Sequence, residues 1–185
     1  MSFRRGFKFL AIVFSVLTII SLVFYMIYNN IPWFSITLTM FTISYHLIMR
    51  LAVGTVIDIL TEKGLNHNSL WFREKSFEKA LYKRLGVKKW KHIIPTWEPE
   101  RFSVEENNMK KIIENMCAAE LIHEIIVLLS WATLFFSLFT PDWKIYIWIF
   151  VGTAFLAAGC DMFFVILQRY NRPRVIRLYE RNKSV

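Results

Sequence analysis

Cysteine, proline, glycine and acidic residues are all scarce in this chain of 185 residues, which has 2 Cys, 5 Pro, 6 Gly and 14 Asp plus Glu. Two cysteines, Cys117 and Cys160, are too few for a disulfide framework. The few glycines build no phosphate-cradling loop, and no H-E-x-x-H pair of metal ligands occurs. There are no internal repeats and no low-complexity tracts. Charged residues make up only 20% of the chain, against about 25% in a soluble domain, so an ordinary cytosolic globule is excluded. A net charge of +9 would suit a nucleic-acid binder, but the apolar content argues against one, and no nucleic acid is expected as a partner.

What is abundant is apolar side chain: 55% of residues are hydrophobic and 17% aromatic. This excess gathers into four blocks, at about 7–28, 32–59, 117–139 and 143–167. Each meets the roughly 20 apolar residues needed to cross a bilayer. The turn-like stretches Asn29-Asn30-Ile31-Pro32 and Thr140-Pro141-Asp142 separate the blocks pairwise. The first block follows basic residues, as a signal peptide does, but it is long and lacks a small-x-small cleavage site, so it reads as a retained helix. The expected fold is therefore all-α: one polytopic membrane domain over 1–185, with four transmembrane helices in two hairpins.

Orientation follows from lysine and arginine placement. Arg4, Arg5 and Lys8 precede the first span, twelve basic residues lie from Lys63 to Lys111, and six follow Leu167. Opposite them stands Lys144. Both termini and the middle loop are expected to face the cytoplasm.

The loop over 60–116 carries pattern. Across 73–86, Phe77, Ala80, Leu81 and Leu85 share one helical face and Lys75, Lys79 and Lys83 another, which predicts a basic amphipathic helix in the membrane interface. A mixed stretch follows, with Trp90, Ile93, Ile94 and Trp97 among Lys88, Lys89, Lys91 and His92. Ser103-Val104-Glu105-Glu106 reads as a capping box. It opens a helix with Met109, Ile112, Ile113, Met116 and Cys117 along one face, running on into the third span.

Ionisable groups within spans are expensive and mark function or pairing. Here they lie at the cytoplasmic ends, at one depth: His46 and Arg50 on one face of span two, Glu120, His123 and Glu124 on one face of span three, and Asp161 with Gln168 in span four. Arg50 fits either a snorkelling anchor or a site contact, and His46 either a packing histidine or a catalytic one. Glu120, His123 and Glu124 are harder to explain as structure. A carboxylate that fixes an imidazole tautomer prepares a general base, and Glu120, one turn before His123, is the expected orienter. The same set with His46 would also suit zinc or iron in chemistry, although the ligand spacing is wrong and no metal is expected. Arg169, Arg172, Arg174, Arg177 and Arg181 satisfy the positive-inside rule. They also suit a phosphate clamp, with Pro173 expected to end or kink the helix among them.

Three stretches, Lys89-Trp90-Lys91-His92, Ala119-Glu120-Leu121-Ile122-His123 and Gln168-Arg169-Tyr170-Asn171-Arg172-Pro173-Arg174, resemble the glycosyl-diaponeurosporenoate acyltransferase family. Its named member completes staphyloxanthin-type carotenoids in Gram-positive bacteria. The resemblance covers about 87–174 and is most specific in the seven-residue block; Glu124 and Asp161 stand where that enzyme has uncharged residues, so it assigns them no role. It implies a multi-pass protein of a bacterial cell membrane that moves a fatty acyl group from a cytosolic thioester to a hydroxyl of a membrane glycolipid. No tightly bound cofactor is implied; acyl-CoA or acyl carrier protein is the donor, and membrane lipids are the partners.

The resemblance supplies no catalytic residues; read from the chain's own residues, His123 is the expected base and Glu120 its orienter, with Asn171, Arg172 or His92 as oxyanion donors. Arg169, Arg172, Arg174, His92, Trp90, His46, Arg50, Glu124 and Asp161 form the substrate-binding set. Direct transfer is expected, with acyl-Cys117 as the covalent alternative. A homodimer would enlarge a small body. Two other classes remain open: an S-adenosylmethionine-dependent membrane methyltransferase, and a non-catalytic lipid-handling subunit.

Overall fold

The computed structural model describes residues 3–96 and 98–183; Trp97, read above with the mixed stretch, lies outside them. Among the described residues there are helices and turns and no strand. Four helical stretches are long and apolar enough to cross a membrane. Helices suit that setting because each backbone N–H and C=O finds its partner within the segment. The chain divides into two compact units, Met1–Thr55 and Val56–Val185.

The first unit holds α1 (Phe3–Tyr28) and most of α2 (Ile31–Leu60). Asn29 takes a left-handed conformation at φ 44°, which asparagine tolerates better than most side chains. Asn30 then caps α2, its Oδ1 accepting from the Trp33 amide at 3.1 Å. Beside this turn Phe24 stacks on Trp33 with centroids 4.6 Å apart. Further along, the Ser15 and Ser44 hydroxyls meet at 2.8 Å.

The second unit opens with the end of α2 and a loop. Gly64 sits at φ 92°, a conformation that favours glycine, and the Glu114 carboxylate lies close to it. The amphipathic segment expected over 73–86 forms a helix only at α3 (Glu78–Arg84), followed across Gly86, itself at positive φ, by the single turn α4 (Val87–Trp90). The orientation of α3 is informative. Glu78 and Tyr82 are buried, while Phe77, Leu81 and Leu85 are exposed. The apolar stripe thus faces away from the protein, as an interfacial helix requires.

The expected capping box is not the start of the next helix. Ser103 Oγ instead accepts from the Glu105 amide at 3.2 Å within a turn, and α5 (Met109–Ser130) begins at Asn108, whose side chain accepts from the Lys111 amide at 2.8 Å. After Ser130 the third apolar block continues as a tighter 3-10 helix, Trp131–Phe139. Hydroxyls follow its three-residue period: Thr133 donates to the Ser130 carbonyl and Ser137 to that of Leu134. These back-bonds satisfy hydroxyls that are wholly buried.

α6 (Trp143–Lys183) has 41 residues, which at 1.5 Å per residue is about 60 Å, twice a hydrocarbon core. Pro173 does not end it. Proline removes one backbone bond to the residue four before it, here Arg169, and the helix continues past that gap. The basic tail is therefore the last four turns of a continuous helix.

Candidate functional site

Small side chains set how closely α5 and α6 pack. Ala118, Ser130, Thr133, Ala154 and Ala158 are all buried, and residues of this size let transmembrane backbones approach. Ionisable groups from both helices then converge near the end of the apolar segment, and the loop between α2 and α5 closes over them.

Glu120 is wholly buried. A carboxylate in that position needs charged donors, and it has two. Arg169 Nη1 donates to Oε1 at 2.7 Å, and Arg172 Nη1 donates to Oε2. Arg172 is also buried; its Nη2 donates to the Phe72 carbonyl at 2.5 Å, and its guanidinium lies 5.1 Å from the Phe72 ring centre. Arg169 reaches on to the loop, where Nε and Nη2 donate to Glu78 Oε1 at 3.0 and 2.7 Å. The other oxygen of Glu78 accepts from the Tyr82 hydroxyl at 3.0 Å. Burial, and then the bond to Glu78, push the Tyr82 phenol well above its ordinary range, so it remains a donor. Glu124 accepts from the Trp71 indole at 2.8 Å, with Arg169 3.7 Å away.

His123 belongs to a different pair. Its Nδ1 lies 2.9 Å from Asp161 Oδ1 on α6, and its ring stacks on Phe164 at 4.5 Å and 9°. Asp161 is 4% exposed and the His123 side chain 21%, so the carboxylate is enclosed while the imidazole keeps an open edge. An ionised carboxylate only accepts. Paired with such an acceptor, Nδ1 is the donating nitrogen of the ring. The expected orienter, Glu120, is occupied by Arg169 and Arg172 instead: one helical turn carries its carboxylate toward the C-terminal part of α6, whereas Asp161 stands level with His123.

The arginine cluster differs from expectation for the same reason. Arg169 and Arg172 hold carboxylates and carbonyls rather than standing ready for phosphate. Arg174 is exposed and donates to the Tyr170 hydroxyl at 2.7 Å. Asn171 is half-buried on α6 and His92 exposed after α4. Trp90 packs edge-on against Phe163 at 5.3 Å and donates to the Leu85 carbonyl at 3.0 Å. Cys117 is buried and Cys160 exposed. His46 and Arg50 belong to the first unit, where Arg50 Nη1 donates to the His46 carbonyl at 3.2 Å and Tyr45 lies edge-on to the His46 ring.

The sequence reading gave no role to Glu78, Tyr82, Trp71, Phe72 or Phe164, and it met Tyr170 only as part of the seven-residue block. Glu78 and Tyr82 carried a signal, since they are one turn apart on α3, beside its apolar stripe. Trp71, Phe72 and Phe164 carried none beyond being aromatic.

The three sequence stretches that carry the family resemblance thus meet in space. Glu120 from the first half of α5 joins Arg169 and Arg172, and the segment around Trp90 lies along Phe163 and Tyr170 of α6. A family model for glycosyl-4,4'-diaponeurosporenoate acyltransferase matches residues 68–181, a wider stretch than the motifs alone, taking in the loop that supplies Trp71, Phe72, Glu78 and Tyr82. No curated protein and no solved structure matches the chain. With more than half of its residues matched, and with the matched stretch supplying every group of the buried cluster, the chain belongs to the glycosyl-4,4'-diaponeurosporenoate acyltransferase family.

Proposed function

We propose that the protein transfers a fatty acyl group from a cytosolic thioester to a hydroxyl of a membrane glycolipid, with His123 as general base and Asp161 as its positioning residue. The observation that carries this reading is the His123–Asp161 pair: an enclosed carboxylate on Nδ1 beside a partly open imidazole. That arrangement suits a base that must take a proton at Nε2 and later return it.

The steps are those of direct acyl transfer. The acceptor oxygen attacks the thioester carbonyl as Nε2 removes its proton. The tetrahedral intermediate collapses, the C–S bond breaks, and the imidazolium protonates the departing sulfur. An ester and a free thiol result. Asp161 keeps the ring in the required tautomer and stabilises its charged form between the two transfers, and stacking on Phe164 fixes the ring plane. Cys117, wholly buried, is a poor acyl carrier, which favours the direct route.

Glu120, Arg169, Arg172 and Glu78 act in this account as the frame that clamps α3 and its loop to α6. Asn171 lies seven residues beyond Phe164, on the same face of α6 and about 10 Å along the axis, so it is assigned to the arm of the donor. The orientation that fits the site is the one expected from the basic residues, with the loop and both termini in the cytoplasm, where thioester donors are made.

The test is a comparison of total lipid extracts by mass spectrometry, from cells making the wild type and His123→Ala at equal protein level. A glycolipid series heavier by one fatty acyl group should appear with the wild type and vanish with the variant. Extracts that do not differ would defeat the proposal.

A further inference from the structure

Among the described residues, several cations at this end of the second unit stand against carboxylates, while others, Lys88 and Lys89 among them, do not. Arg169 and Arg172 hold Glu78 and Glu120, Arg177 lies 4.0 Å from Glu74, and Arg101 lies 2.8 Å from Asp58. Lys91 and Arg174 have no carboxylate partner among the described residues. Both are nevertheless held in place, on one aromatic ring. The Arg174 guanidinium lies 4.3 Å from the centre of Tyr170 and donates to its hydroxyl at 2.7 Å; the Lys91 ammonium lies 5.5 Å from the same centre.

The ring itself is braced by a second tyrosine. Tyr82 meets it edge-on at 5.6 Å and 86°, and Tyr82 is anchored through Glu78 to Arg169, the neighbour of Tyr170. The backbone before Lys91 is fixed as well, by Trp90 against Phe163. Two like charges from segments far apart in the chain are therefore brought to one ring and left unneutralised. An anion bound between them would offset their repulsion. A lysine and an arginine fork held on one ring offer a phosphate group a point charge and a pair of directed donors. Exposed Lys88 and Lys89 on α4 add to the field.

We propose that Lys91 and Arg174, gathered on Tyr170, form a phosphate seat. Resting on the acyl-transfer reading, the phosphate belongs either to a coenzyme-A-type donor or to the headgroup of an anionic lipid. The seat takes the role that Arg169 and Arg172 would have filled had they been free.

The test reads binding, not turnover, and so is independent of whether transfer occurs. Full-length protein in neutral detergent micelles is titrated with coenzyme A and, separately, with dioctanoyl phosphatidylglycerol. The wild type is compared with Lys91→Gln/Arg174→Gln and with the charge-keeping Lys91→Arg. The double variant should weaken one probe by about tenfold to a hundredfold, the loss expected for hydrogen bonds to charged groups, while Lys91→Arg stays within a few-fold of the wild type. Loss for coenzyme A assigns the seat to the donor, and loss for phosphatidylglycerol assigns it to a headgroup. Equal binding of both probes to wild type and double variant, or no binding of either to the wild type, overturns the seat. A wild type that binds coenzyme A through these residues yet leaves the lipid extract unchanged would uphold the seat and defeat the acyl-transfer reading.

Discussion

His123 and Glu120 are one turn apart on α5, yet they bond to groups two to three turns apart on α6. Glu120 meets Arg169 and Arg172, and His123 meets Asp161. The two carboxylates therefore do different work, which substitution should separate. Glu120→Gln leaves two guanidinium groups facing a neutral amide in a buried site, and breaking a buried ion pair from one side costs about 3 kcal/mol or more. Its unfolding midpoint in detergent should fall accordingly, and Glu120→Gln/Arg172→Gln should recover part of the loss. His123→Ala should leave the midpoint close to that of the wild type. The sequence identified His123, Glu120 and the arginines as groups needing explanation, because charge near apolar spans is conspicuous. It could not pair them. Which carboxylate faces which base depends on the axial offset between α5 and α6, and no local pattern encodes that offset.

The helices show the same division. The four apolar blocks were legible because their length and composition are what a bilayer demands, and helices of those lengths are present. Their ends were less so. Asn108 rather than Ser103 caps α5, since either residue type serves and the turn at 103–107 decides between them. α6 runs through Pro173, which a local reading takes as a helix breaker. α3 is shorter than its periodicity suggested but presents the stripe that periodicity described. With Phe77, Leu81 and Leu85 exposed and Glu78 and Tyr82 buried, a nitroxide at Leu81 in reconstituted vesicles should be relaxed more by oxygen than by a water-soluble nickel chelate. One at Lys79 should show the reverse. Equal accessibility at both positions would remove α3 from the membrane interface.

For the whole molecule, the charge distribution predicts a sidedness that single cysteines can read. In intact cells a membrane-impermeant maleimide should label Lys144→Cys and spare Lys79→Cys; inverted vesicles should give the opposite pattern. The central claim is narrower, that His123 acts as the base because Asp161 holds it. The most direct measurement is the rate of free-thiol release from a long-chain acyl-CoA by Asp161→Asn and wild-type protein, reconstituted with lipid extract and present in equal amounts. Asparagine keeps the shape but no longer stabilises the imidazolium or enforces the tautomer. The account predicts a fall in turnover of about a hundredfold or more, with the unfolding midpoint little changed. A rate within twofold of the wild type would contradict it.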